Sequence, residues 1–239
     1  MSQSIFGRRE KKFLITKEKQ KLLLNRISSI IEQDHFGSYT ISNIYYDTDQ
    51  YDLIRMSIEK PKYKEKLRLR GYGVVNRDAS VYVELKREYR GIVYKRQVVM
   101  PYEKALKFLK TGEAEADSQI IREIQYFLQQ HQVSEKVFLS YDRTALKNIY
   151  GSDIRITFDE NIRFRRNPLK LDSGEWGTSI INQNEILMEV KLLDAMPIWL
   201  SQELSRLEIF PSSFSKYGTC YKEYIAQDIR MEWEAIVSA

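Results

Sequence analysis

Lys66, Arg68 and Arg70 recur at every second position of KLRLRGYG, and Tyr82, Glu84 and Lys86 do the same in VYVELKREYR. Alternate side chains of a strand point to opposite faces, so each segment presents a charged face and an apolar one, the latter made by Leu67 and Leu69 or by Val81, Val83 and Leu85. The chemistry that suits such a face is the handling of a polyanion. Arginines grip phosphate oxygens in pairs, lysines act as point charges, and a few carboxylates can hold a divalent metal between phosphates.

One alternating strand is ordinarily the solvated side of a sheet. Here the device recurs in distant segments. IRITF puts Arg155, Thr157 and Asp159 on one face, and LMEVKL sets Glu189 and Lys191 opposite Met188, Val190 and Leu192. ELK at Glu84 to Lys86 and EVK at Glu189 to Lys191 are the same motif used twice. If these faces converge, their like charges repel unless an anionic ligand relieves them.

The elements that must bring them together can be read along the chain. RREKKFLI is a first strand carrying Glu10 and Lys12, and Thr16 caps a helix whose apolar positions run through Ile30 and Ile31. Strands follow over Tyr39 to Asp47, over the two central segments, and over IVYKRQVVM, where either Lys95 or Arg96 faces inward according to register. A helix with Pro101 at its first position stops at Gly112, and another starts from Asp117 or Ser118. Two more strands contain Arg143 and Arg155, the latter continuing to Arg166. A long loop, Asn167 to Gln183, precedes EILMEVKLL, and two helices form the tail. Eight strands with one polar and one apolar face predict an α+β protein, an eight-stranded antiparallel barrel with charge inside and helices outside. Its interior is slender enough for a chain of phosphates and too narrow for a nucleic-acid duplex.

Composition narrows the classes. The 239 residues are 43% hydrophobic, enough for one full domain. The 38 basic and 33 acidic residues leave a net charge of only +5, which argues for sorted charge and against a nucleic-acid partner. Cys220 is the single cysteine, and His35 and His131 lack zinc-site spacing and read as surface residues. Every apolar run falls short of the ~18 residues of a membrane span, so a cytoplasmic protein without membrane insertion is expected.

Eight segments in order, NIYYDT, KLRLRGYG, VELKR, YDRTA, IRITFD, MEVK, MPIWL and FSKY, resemble the VTC domain, the polyphosphate polymerase domain of the vacuolar transporter chaperone type, within the triphosphate tunnel metalloenzyme (CYTH-like) superfamily. The resemblance spans roughly Arg9 to Ile225, so the whole chain, 1–239, reads as one such domain. It implies transfer of the terminal phosphate of ATP or another triphosphate to a growing polyphosphate chain, with manganese or magnesium. By position it implies that Arg68, Arg70, Lys86, Arg143, Arg155 and Lys216 are catalytic. The same residues, with Lys12, Lys66, Lys95 and Lys191, would bind phosphate, and Glu189, Glu84 and Glu10 would serve the metal. Glu84 and Glu10 have an alternative role, balancing neighbouring Arg and Lys, and Tyr217 and Trp199 read as packing residues.

Two positions depart from the pattern. Ser213 stands where the polymerases carry a second lysine, and Arg8 occupies the place of the first glutamate in the Glu-x-Glu-x-Lys start of related hydrolases and cyclases. A triphosphate hydrolase of the same superfamily and a non-catalytic polyphosphate binder are therefore the competing readings. The oligomeric state is left open.

Overall fold

The computed structural model describes residues 9–151, 154–193 and 195–237. Nine strands form one antiparallel sheet: β1 (Arg9–Thr16), β2 (Ile31–Asp47), β3 (Tyr63–Tyr72), β4 (Ser80–Tyr89), β5 (Ile92–Pro101), β6 (Ser134–Asn148), β7 (Arg155–Arg165), β8 (Thr178–Ser179) and β9 (Glu185–Leu192). Their order is β1-β9-β7-β6-β2-β3-β4-β5, with the two-residue β8 added to β7. The expected eight long strands are present. The ladder nevertheless runs from β1 to β5 with no backbone pairing between those two among the described residues, where a closed barrel would join them. On the concave face Glu10 of β1 lies 3.7 Å from Lys86 of β4.

The alternation places most of the core on the convex side. Leu67, Leu69, Val81, Val83 and Leu85 are fully buried beneath α3 (Tyr102–Thr111) and α4 (Gln119–Gln130), which contribute Ala105, Phe108, Ile124 and Phe127. The other flank packs Phe13, Ile156, Met188 and Val190 under α1 (Lys17–Ile27) and α5 (Ile198–Arg206). A third cluster, including Tyr45, Leu139, Tyr141 and Leu187, meets α2 (Asp52–Ile58) and α6 (Lys216–Cys220). A π-helical turn, Tyr221–Ile225, joins α6 to α7 (Ala226–Val237), and among the described residues no helix is long and apolar enough to cross a membrane.

Local signals set most boundaries. Thr16 accepts from the Lys19 amide at 3.2 Å, Ser118 accepts from Ile121 at 3.2 Å, and Gly112 ends α3 in the left-handed conformation at φ 74°. Two expectations need correction. The helix periodicity through Ile30 and Ile31 overshoots, because β2 begins at Ile31, whose backbone pairs with Asn148 across the sheet. Pro101 is the last residue of β5 and the N-cap of α3, not its first helical residue.

The loop after β7 is held by Arg165. Its guanidinium donates to the carbonyls of Pro168, Lys170, Gly174 and Trp176 and lies 3.5 Å from the Phe138 ring centroid. Gly177 is required next to it, because a Cβ there would collide with the Phe164 carbonyl.

Candidate phosphate-handling site

The concave face collects the charged positions in two paired clusters with free lysines beside them. In the first, the fully paired register of β3, β4 and β5 sets Arg68 opposite Glu84 and Glu84 opposite Gln97. Arg68 donates to Glu84 at 2.6 Å, Arg70 lies 3.5 Å from the same carboxylate, and Lys95 reaches it at 3.4 Å. Asn43 accepts from Arg70 at 3.1 Å, fixing the guanidinium from β2. Burial opposes the charge of Glu84, but Arg68, Arg70 and Lys95 outweigh it and hold the carboxyl well below its usual range. The register question at β5 is thereby answered: Lys95 points inward, and Arg96 points outward to Glu123 of α4 at 3.3 Å.

The second cluster joins β6, β7, β9 and α6. Arg143 grips Asp159 through two bonds of 2.6 and 2.7 Å and reaches Glu189 at 3.4 Å. Lys216 enters from α6 and bridges the same carboxylates, 2.5 Å from Asp159 and 3.1 Å from Glu189, over the Tyr141 ring. Burial raises the cost of ionising Glu189, and Lys216, Lys12 and Arg143 overcome it, so its carboxyl is held well below the usual range. Burial alone would raise Tyr141, yet Arg143, Arg70 and Lys216 pull its hydroxyl below the ordinary value.

Between these clusters stand Glu10 and Lys12 of β1, 3.4 Å apart. Against burial, Lys86 and then Lys12 bring Glu10 down to about 2. Lys66 and Lys191 differ from the other cations. Neither makes an ion pair or hydrogen bond among the described residues. Burial, with Lys12 and Lys86 close by, pushes Lys66 down to about 7, and burial pushes Lys191 down to about 8 despite Glu189 and Glu10. A cavity of about 390 Å³ is lined by all thirteen positions expected to act except Glu84, which lies beneath Arg68 and Arg70.

The sequence model for the VTC domain matches residues 7–225. The chain belongs to the VTC domain family. The fold of this VTC domain is shared with solved structures of low sequence identity. A candidate adenylate cyclase from Bacillus halodurans is 15% identical with a TM-score of 0.53, covering 87% of this chain and 95% of that one. A candidate adenylyl cyclase from Hippeastrum, described as having a dominant triphosphatase activity, is 17% identical with a TM-score of 0.50, covering 88% and 92%. No curated protein matches the chain.

Within the VTC domain, Arg155 stands apart from the other arginines. It lines the cavity but lies near the surface, 3.2 Å from Asp34. Sequence reasoning left out Asp159, Tyr45 and Tyr141 as site residues. Asp159 shares the parity of Arg155 and Thr157, which was a usable signal, whereas the tyrosines read as ordinary strand residues. Tyr217, read from the sequence as a packing residue, is stacked on Tyr45 at 4.9 Å and also lines the cavity, and Trp199 packs in the convex core. His35 is exposed, but His131 is partly covered, 3.5 Å from Glu65. Arg8 lies outside the described residues.

The donors present fit a hard divalent cation held jointly with a substrate. Among the described residues no three His, Cys, Asp or Glu side chains converge as an all-protein cage. Magnesium-type ions often rest on one or two carboxylates plus phosphates. Glu189 and Glu10 are diagonal neighbours across the β1–β9 register, and Thr157, paired with Glu189, has a buried hydroxyl without a partner.

Proposed function

We propose that this VTC domain is a polyphosphate polymerase that moves the terminal phosphate of ATP, or of another triphosphate, to the end of a polyphosphate chain. The observation that carries the reading is the pair of half-buried lysines that make no ion pair among the described residues, Lys66 and Lys191, in one cavity with Arg68, Arg70, Arg143 and Lys216. A linear anion with many phosphates relieves that arrangement along its length. We read the curled sheet as a tunnel, with Glu10 of β1 reaching Lys86 of β4 across its concave face.

Phosphoryl transfer demands mainly positioning and charge neutralisation from the protein. Arg68, Arg70, Arg143 and Arg155 orient phosphate oxygens, and Lys12, Lys66, Lys86, Lys95, Lys191 and Lys216 add point charges. A terminal oxygen of the acceptor forms the new bond to the donor's last phosphorus, the old bridging bond breaks, and the nucleoside diphosphate leaves. Glu189, with Glu10, would hold manganese or magnesium, which supplies further neutralisation of phosphate oxygens. Glu84, already paired with three cations, holds Arg68 and Arg70 in place.

The test is incubation of the protein with ATP and manganese, with and without a short polyphosphate primer, followed by sizing of the products. Long chains that vanish in Glu189→Gln support the polymerase. Free phosphate or pyrophosphate alone makes the domain a hydrolase or cyclase, a reading favoured by the triphosphatase activity ascribed to the Hippeastrum relative. Tight polyphosphate binding without turnover leaves a binding module.

A further inference from the structure

The charged concave face changes character at the far end of β3. Tyr72 follows Arg70 on the same face, about 7 Å further along the strand. Tyr82 is the cross-strand partner of Arg70, and Tyr39 is the cross-strand partner of Arg143. The three rings are contiguous: Tyr39 and Tyr72 have centroids 5.9 Å apart, and Tyr72 and Tyr82 meet edge to face at 5.7 Å. Phe36 extends the row, 6.3 Å from Tyr39.

Tyr39 and Tyr82 are half-buried, Tyr39 against the third core cluster, and the row opens at Tyr72 and Phe36. Tyr72 is 50% exposed and Phe36 67%, while the convex side directly behind, at Leu69 and Val81, is fully buried. Aromatic rings on the inward face, open at Tyr72 and half-buried at Tyr39 and Tyr82, each beside an arginine of the phosphate cavity, match a ligand with an anionic tail and a flat, apolar head. Inorganic polyphosphate has no such head, but a nucleoside triphosphate has.

We propose that Tyr39, Tyr72 and Tyr82 form the stacking platform for the base of a nucleoside triphosphate whose phosphates lie on Arg70 and Arg143. This inference rests on the triphosphate reading of the cavity and names its donor class. Every base offers a π-face, so stacking here distinguishes nucleotides from inorganic phosphates and tolerates different bases.

The experiment compares ATP and inorganic tripolyphosphate by calorimetry in one buffer, on the wild type, Tyr72→Ala, Tyr82→Ala and Tyr72→Phe. Loss of a ring is expected to weaken ATP about tenfold, within the range of base–aromatic stacking, while tripolyphosphate changes less than twofold. Tyr72→Phe keeps the ring and keeps ATP affinity. Tripolyphosphate binding reports that each variant is folded. Unchanged ATP affinity in both alanine variants, or equal weakening of both ligands, overturns the platform and leaves the phosphate cavity standing. Failure of the wild type to bind tripolyphosphate overturns the cavity reading, and the platform falls with it.

Discussion

The Tyr217 hydroxyl donates to the Asp47 carboxylate across 3.0 Å, tying α6 to the end of β2. Asp47 also accepts from the amides of Thr48, Leu53 and Ile54, so one buried carboxylate organises α2 and anchors the helix that carries Lys216. Tyr217→Phe keeps the stacking on Tyr45 and deletes only this bond. A stability loss of about 1.5–3 kcal/mol is expected in chemical denaturation, the range for a hydrogen bond to a charged group. Phosphate transfer should fall several-fold in kcat as Lys216 loses its fixed position.

Arg68→Ala should abolish phosphate transfer, by more than a hundredfold, and leave the fold intact. Glu84 would still be paired with Arg70 and Lys95, so no naked charge is left behind. Arg68→Lys should recover only part of the activity, because an ammonium lacks the two-pronged grip of a guanidinium. Full activity in a well-folded Arg68→Ala protein would sink the assigned role.

Lys66, at about 7, and Lys191, at about 8, make the affinity for anions depend on pH. A bound polyanion favours the charged lysine, so binding takes up protons. Tripolyphosphate should therefore bind tightest below pH 7 and progressively less tightly as pH rises through 7 to 8. In the free protein both folded values lie below the ordinary lysine value of 10.5, so the unfolded chain holds more protons in that window and stability rises with pH from about 7 to 10. Lys66→Arg, which stays charged, should flatten the calorimetric binding profile around pH 7. An unchanged profile would show that Lys66 is not the titrating group.

Arg165 makes a structural prediction. Its replacement by Met leaves the carbonyls of Pro168, Lys170, Gly174 and Trp176 without their donor. A loss of about 3 kcal/mol or more is expected on unfolding, since each stranded buried acceptor costs about 1–3 kcal/mol. Turnover per folded molecule should be nearly unchanged, because Arg165 is not among the residues lining the cavity.

Removal of metal gives a fourth check on the site. Chelation should stop transfer, and Glu189→Gln should weaken manganese binding measured with tripolyphosphate present, by at least tenfold. Glu84→Gln should loosen Arg68 and Arg70, lowering phosphate affinity while manganese affinity changes little. The reverse pattern would move the metal to the β3–β5 side.

The strand alternation determined which residues face the cavity, because a period of two is a local property of extended backbone. That is why Lys66, Arg68, Arg70, Glu84, Lys86, Glu189 and Lys191 could be assigned to the concave face without any coordinates. Helix caps at Thr16 and Ser118 and the stop at Gly112 were legible for the same reason, as each acts within a single turn. Pairing between segments far apart in the chain was not. The early start of β2 depends on residues more than a hundred positions away, and the choice of Lys95 over Arg96 depends on register with β4. Tertiary structure alone decided which cations are neutralised. Arg143 and Lys216 meet Asp159 across three elements, while Lys66 and Lys191, identical in pattern to their neighbours, make no ion pair or hydrogen bond among the described residues. Charge type is written in the sequence, but the distance to a counter-charge, which sets the energy, exists only once the sheet has curled.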